Sequence, residues 1–147
     1  TGALDDSAAN DGFNLVTQQT AEWNAEKAQQ IVQSVIDAGT PFNVIYAEND
    51  DMAKGAVAAL DKANISHGVG KDVIVMGFDC NKWALEELKA GNWNYDGQCN
   101  PFQASYIDDI IKKLENGETI SEKTIIMDEK GFDATTITQE DVDNYGI

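Results

Sequence analysis

The sequence predicts an open α/β fold: three layers, with a mainly parallel sheet between helices on both faces. Three observations lead there. Two short apolar runs, NVIYA at 43–47 and VIVMGF at 73–78, read as buried parallel strands. Amphipathic stretches of roughly ten to fifteen residues lie between the runs, the alternation that marks βαβ units. Gly39 with Pro41, Gly91 and Gly117 then stop three of those stretches where helices should end. Right-handed crossovers between parallel strands lay the helices on the sheet.

In chain order, residues 1–11 (TGALDDSAAND) show no period and are expected to be irregular to about residue 12. Residues 13–18 (FNLVTQ) alternate and carry β-branched content, which predicts a strand. Asn24 is placed to cap a helix. Its apolar stripe is Ala28, Ile31, Val32, Val35 and Ile36, the i, i+3, i+4, i+7, i+8 pattern. The strand at 43–47 leads into a helix over 51–64, with Ala56, Ala59, Leu60 and Ala63 on its inner face. The strand at 73–78 leads into a helix over 82–90. Residues 93–98 (WNYDGQ) alternate as a strand nearer the sheet edge would. Asn100 and Pro101 form an N-cap and N1 pair for a helix carrying Ile107, Ile110, Ile111 and Leu114. A further strand is expected at 123–127. Thr138 with Asp141 resembles a capping box for a last short helix.

At 147 residues the chain is one domain, able to bury roughly two-thirds of its unfolded surface. Its charge is lopsided: ten Lys and Arg against twenty-six Asp and Glu, a net −16. Such a surface repels nucleic acid and anionic membranes. Cys80 and Cys99 lack the C-x-x-C spacing of zinc or thioredoxin-like sites. No apolar run is long enough to span a membrane as a helix. The polar start has no signal-peptide pattern and reads as the interior of a longer chain. His67 is the single histidine, so nucleophilic triads and histidine metal sites have no support; it is expected in a solvated loop. Gly68, Gly70 and Lys71 precede a strand and lack phosphate-loop spacing. Asp50 and Asp51 suit a helix N-terminus better than a metal. The expectation is a protein without catalysis, metal or cofactor.

Open α/β sheets bind ligands beyond the carboxyl ends of their strands. The residues there are Gln18, Gln19 and Thr20; Glu48, Asn49 and Asp50; Asp79, Cys80 and Asn81; Gln98, Cys99 and Asn100. This amide- and acid-rich set suits a neutral polyhydroxylated ligand, because carboxylates accept from hydroxyls and amides both donate and accept. The same residue types also cap helices after strands. Trp83 either stacks on a sugar's apolar face or packs its helix on the sheet, and Trp93 reads as buried.

Several motifs resemble the periplasmic sugar-binding proteins of the ribose and galactose type, the type I solute-binding proteins of ABC importers. Residues 46–60, YAENDDMAKGAVAAL, resemble the family's N-D-x-M-A-x-G-A signature. Residues 73–79, VIVMGFD, are similar to its V-x-G-F-D strand, and residues 84–91, ALEELKAG, to its A-L-x-x-I-x-x-G helix. Residues 94–101 resemble the strand and turn that carry a pocket amide, and residues 136–145, TITQEDVDNY, the closing I-T-x-E-N-V-D-x-Y. The resemblance runs from about residue 14 to 147. It implies one lobe, the C-terminal one, of a two-lobe clamp on a monosaccharide, with the N-terminal lobe missing. Carried over, Asn49, Asp79 and Gln98 contact sugar hydroxyls, with Asp50 capping its helix, and Trp83 and Asn100 as further candidates. The family's arginine on the lobe's first helix is absent; residues 7–10, ending in Asn10, occupy that place, and Asn10 is its candidate substitute. The lobe's first strand and helix are reduced. The resemblance also sets Cys80 and Cys99 on adjacent strands, within reach of a disulfide beside the pocket.

The implied partners are a small-molecule sugar, the other lobe and the membrane permease of an ABC importer. The implied location is periplasmic or otherwise extracytoplasmic, with a lipoprotein anchor in a Gram-positive source. Interface left bare by the missing lobe is a route to self-association. The alternative is the effector-binding lobe of a sugar-responsive LacI-type transcriptional repressor, with which several motifs are shared. A receiver-like signalling domain is a third, weaker reading.

Overall fold

Residues 12–147 are described by a computed structural model. Helix α1 (Ala25–Asp37) precedes strand β1 (Val44–Tyr46). There follow α2 (Asp50–Lys62), β2 (Ile74–Asp79), α3 (Lys82–Lys89), β3 (Tyr95–Gln98), α4 (Ala104–Glu115), β4 (Gly131–Asp133) and α5 (Gln139–Tyr145). The four strands form one sheet in the order β1-β2-β3-β4. β1, β2 and β3 are parallel, and β4 runs antiparallel to β3. This is the mainly parallel open sheet with helices that the sequence predicts, but among the described residues the helices lie on one face, not on both.

Register assigns the two sheet faces. Ile45 pairs with Val75, Gly77 with Asp96, and Asp96 with Phe132. Val75, Gly77, Asp96 and Phe132 are buried, and the helices pack on their side. Asp50 of α2 and the Trp93 ring both lie against the position a Gly77 side chain would fill. Trp83 of α3 meets Trp93 edge-on, with centroids 5.9 Å apart at 87°. Both crossovers, β1 to β2 and β2 to β3, step the same way across the sheet. Right-handedness therefore sets both helices on one face. Covering the other face requires a step in the opposite direction, and none occurs among the described residues. That face carries Tyr46, Met76, Phe78 and Tyr95. Tyr46 is 46% exposed, and its ring contacts Phe78, which in turn contacts Tyr95.

The core sits between the covered face and α2 and α3. Leu60, Val75, Leu85, Leu88 and Val142 are inaccessible to solvent. α1 packs across α2 at close range. A side chain at Gly55 would stand 2.0 Å from the Ala25 carbonyl oxygen, so only glycine admits that approach. Asn24 caps α1 by accepting from the Lys27 N–H at 2.9 Å. Thr138 and Asp141 form the expected capping box on α5.

Four expectations are corrected. Residues 13–18 are exposed and form no strand; among the described residues no strand lies beside them to complete their hydrogen bonds. β3 is a central strand instead of a near-edge one, because β4 pairs on its outer side. That fourth strand is at Gly131–Asp133; residues 123–127 are not in the sheet. α4 begins at Ala104 with Gln103 as its N-cap. Asn100 instead accepts from the Phe102 N–H at 2.8 Å, forming a turn ahead of the helix.

Candidate functional site

The three parallel strands end side by side, and their carboxyl ends carry the predicted residues. Asp79 and Gln98 are register partners at the ends of β2 and β3. Asn49 stands three residues beyond Tyr46, the last residue of β1. The fold thus brings Asn49, Asp79 and Gln98 to one edge of the sheet. Asn10 lies outside the described residues.

Asn49, not Asp50, is the N-cap of α2. Its Oδ1 accepts from the Met52 N–H at 2.9 Å, which satisfies one of the open donors of the first turn. The carbonyl oxygen is therefore committed to the helix, while no acceptor among the described residues engages Nδ2. Gln98 is arranged alike. Its Oε1 accepts from the Lys130 N–H at 3.2 Å, and its own N–H donates to the Lys130 carbonyl at 2.8 Å. Both amides keep their NH2 groups free of partners among the described residues. Asp79 supplies the complement. Burial pushes its carboxyl above the usual range, opposed by a hydrogen bond from the Asp50 backbone N–H. One acceptor carboxyl flanked by two amide donors can engage hydroxyls, which donate and accept at once.

Backbone geometry marks the same place. Asp79 and Cys80 have φ of 128° and 63°, a region that residues with a side chain rarely occupy. The turn is laced from two sides. Asp50 Oδ2 accepts from the Asn81 N–H at 2.8 Å and from Asn81 Nδ2 at 3.1 Å. The Ile147 N–H donates to the Cys80 carbonyl at 3.0 Å, and the Lys82 N–H to the Ile147 carbonyl at 2.9 Å.

The remaining candidates are placed as follows. Trp83 is half-buried, edge-on to Trp93, with Lys54 Nζ 4.7 Å from its ring centroid; it packs α3 on the sheet. Asn100 shapes the turn after β3 and donates its N–H to Glu129 at 2.7 Å. The disulfide between Cys80 and Cys99 is not formed. Both are free thiols, Cys80 buried and Cys99 exposed. The positive φ at Cys80 accompanies a side chain turned inward, where Sγ donates to Asp96 Oδ1 at 3.8 Å. His67 is also corrected: its side chain is only 11% exposed, and its ring bridges the Asn92 carbonyl at 2.9 Å and Asp61 at 3.1 Å. Among the described residues no cluster of three or more metal-binding side chains occurs, and no helix is long and apolar enough to cross a membrane.

Sequence reasoning missed the acid at 96. Asp96 is fully buried beneath the site, beside Asp50 and Cys80. The signal available was the alternation of WNYDGQ, which turns Asp96 to the face opposite Tyr95.

Residues 2–118 match a family model described as "Periplasmic binding protein domain". The chain is 31% identical over 132 residues to the fructose import binding protein FruE of Bifidobacterium longum, covering 88% of this chain and 38% of that protein. It is 29% identical, with a TM-score of 0.78, to the structure of an ABC transporter periplasmic solute binding protein from Actinobacillus succinogenes with bound D-allose, covering 98% of this chain and 48% of that one. The fold also matches a galactofuranose binding protein, with a TM-score of 0.83 at 22% identity. The chain thus spans less than half the length of these relatives. With its fold and a family match over residues 2–118 in agreement, the chain belongs to the periplasmic binding protein domain family.

Proposed function

We propose that the chain is the C-terminal lobe of an extracytoplasmic solute-binding protein, which captures a monosaccharide for an ABC importer and performs no chemistry on it. One observation carries this reading: Asn49, Asp79 and Gln98 converge at the carboxyl ends of three adjacent parallel strands. In it, Asp79 accepts hydrogen bonds from sugar hydroxyls, and the amide groups of Asn49 and Gln98 donate to neighbouring ones. The relatives, a fructose import binding protein and a solute-binding protein holding D-allose, support the ligand class. They also support a membrane permease as partner and an extracytoplasmic location.

The second lobe closes over the sugar by hinge motion. Among the described residues two surfaces are left bare: one sheet face and the apolar stripe of α4, where Ile107, Ile111 and Leu114 are exposed. Exposed apolar area of this kind favours self-association. A two-lobe binder at micromolar affinity has about 8 kcal/mol of binding free energy. If each lobe supplies about half, this chain alone binds sugar at about millimolar strength.

The test is an amide and indole NMR titration with pentoses and hexoses at up to tens of millimolar. Saturable shifts clustered at Asn49, Asp79 and Gln98 are expected for at least one sugar. Asp79→Ala should abolish them while the remaining spectrum stays folded. Saturation that survives Asp79→Ala overturns the site assignment. Silence across the panel, repeated with the two-lobe parent, overturns the sugar reading itself.

A further inference from the structure

Asp50 and Asp96 are each fully buried, and neither joins an ion pair among the described residues. Asp50 Oδ2 is satisfied by Asn81, and Asp96 Oδ1 by the Cys80 thiol. The two oxygens left over, Asp50 Oδ1 and Asp96 Oδ2, are buried without a donor. The two side chains are neighbours, each acting on the other's carboxyl. Register explains the approach. Asp96 pairs with Gly77 across β2 and β3, and Asp50 Oδ1 sits 2.7 Å from where a Gly77 side chain would begin. The missing side chain at Gly77 opens the space in which the acids meet.

Two ionised carboxylates cannot hydrogen-bond, since both only accept. Burying two adjacent like charges in a low dielectric is also costly. A proton held between them removes both difficulties, by supplying the missing donor and neutralising one charge.

We propose that Asp50 and Asp96 hold one proton between them, and that this shared proton positions the β2–α3 turn carrying Asp79 and Asn81. Asp50 is the mechanical link. One of its oxygens lies over Gly77, the register partner of Asp96, and the other grips both the backbone and the side chain of Asn81. When the proton leaves to solvent, the two carboxylates repel each other and the grip on Asn81 loosens. The proposal is independent of the sugar reading, since it concerns the free chain.

The groups facing the pair do not offset this. From the end of β2 and the residue after it they are Asp79 and the Cys80 thiol, whose ionisation burial disfavours. The turn ahead of α3 adds the neutral Asn81 amide; Lys82, the first residue of α3, is exposed and paired with Asp143. Lys54 of α2 lies over Trp83. Burial pushes Asp50 up to about 6 and Asp96 up to about 8, the neighbouring charge of Asp50 adding to the latter. A carboxyl raised on folding binds more protons folded than unfolded. Its stabilising contribution is full below the ordinary carboxylate range and is lost as pH rises through the folded value. The decline therefore runs from about pH 4 to about pH 8.

The experiment follows side-chain carboxyl carbons and backbone amides by NMR from pH 5 to 9.5, alongside thermal melts of the wild type, Asp96→Asn and a His67→Gln control. The expected result is a carboxyl step in the Asp50–Asp96 pair near pH 8, with the Asn81 amide moving along the same curve. The melting temperature should fall from pH 6 to 9 in the wild type and in His67→Gln. It should stay flat in Asp96→Asn, whose amide donates to Asp50 without a titrating proton and should hold the Asn81 amide at its low-pH position. Complete ionisation of both carboxyls below about pH 5, the ordinary range, would overturn the proposal. So would an Asn81 amide that stays still through the step. The wild-type titration decides the matter even if the variant does not fold.

Discussion

Helix α3 buries Ala84, Leu85 and Leu88 completely, whereas α4, with the longer apolar stripe of Ile107, Ile110, Ile111 and Leu114, buries no residue. Both stripes follow the helical period, and both helices end at a glycine with positive φ, Gly91 and Gly117. The difference lies in what stands opposite. α3 faces the sheet, Trp93 and α5. Among the described residues, α4 shares a groove with its own trailing segment, lined by Ile110, Leu114, Ile120 and Ile125. An apolar period shows which side of a helix requires a partner; it does not show that the partner belongs to the same stretch of chain.

That comparison can be broken by measurement. Leu85→Ala should have the largest effect, a loss of about 2–5 kcal/mol, because it opens a cavity under a side chain with no solvent exposure. Urea unfolding of the variant measures it. Thr138→Ala should cost about 1 kcal/mol by removing the hydroxyl that caps α5, read as a shift in the urea midpoint at unchanged slope. Ile111→Ala should change stability by less than about 0.5 kcal/mol, since Ile111 is 48% exposed. It should also reduce any self-association seen by sedimentation. A loss at Ile111 comparable to that at Leu85 would mean that α4 is packed in solution, and the contrast between the helices would fail.

The candidate site shows a similar division. Asn49, Asp79 and Gln98 were legible as candidates because each stands at or just beyond the end of a segment that reads as a strand. Their individual duties were not. The spacing suggests Asp50 as the cap of α2, yet Asn49 caps it while Asp50 turns inward beneath the site. Which of two adjacent residues points outward depends on where the strand ends within a fraction of a turn, and flanking packing decides that. The family resemblance set Cys80 and Cys99 on adjacent strands, and they do follow register partners, but the positive φ that turns Cys80 toward Asp96 was not readable. Residues 13–18 have strand-like alternation without a neighbouring strand to satisfy it, and strand pairing is a property of two segments.

The sequence by itself determined the alternation of strands and helices, their stops, the caps at Asn24 and Thr138, and the polar residues at the strand ends. These depend on local chemistry: period, backbone freedom and side-chain hydrogen bonding within a turn. Only the tertiary structure decided which sheet face is covered, that β4 makes β3 a central strand, and that Asp50 and Asp96 meet across Gly77. Those outcomes depend on segments far apart in the chain arriving at the same place, and no local pattern carries that distance.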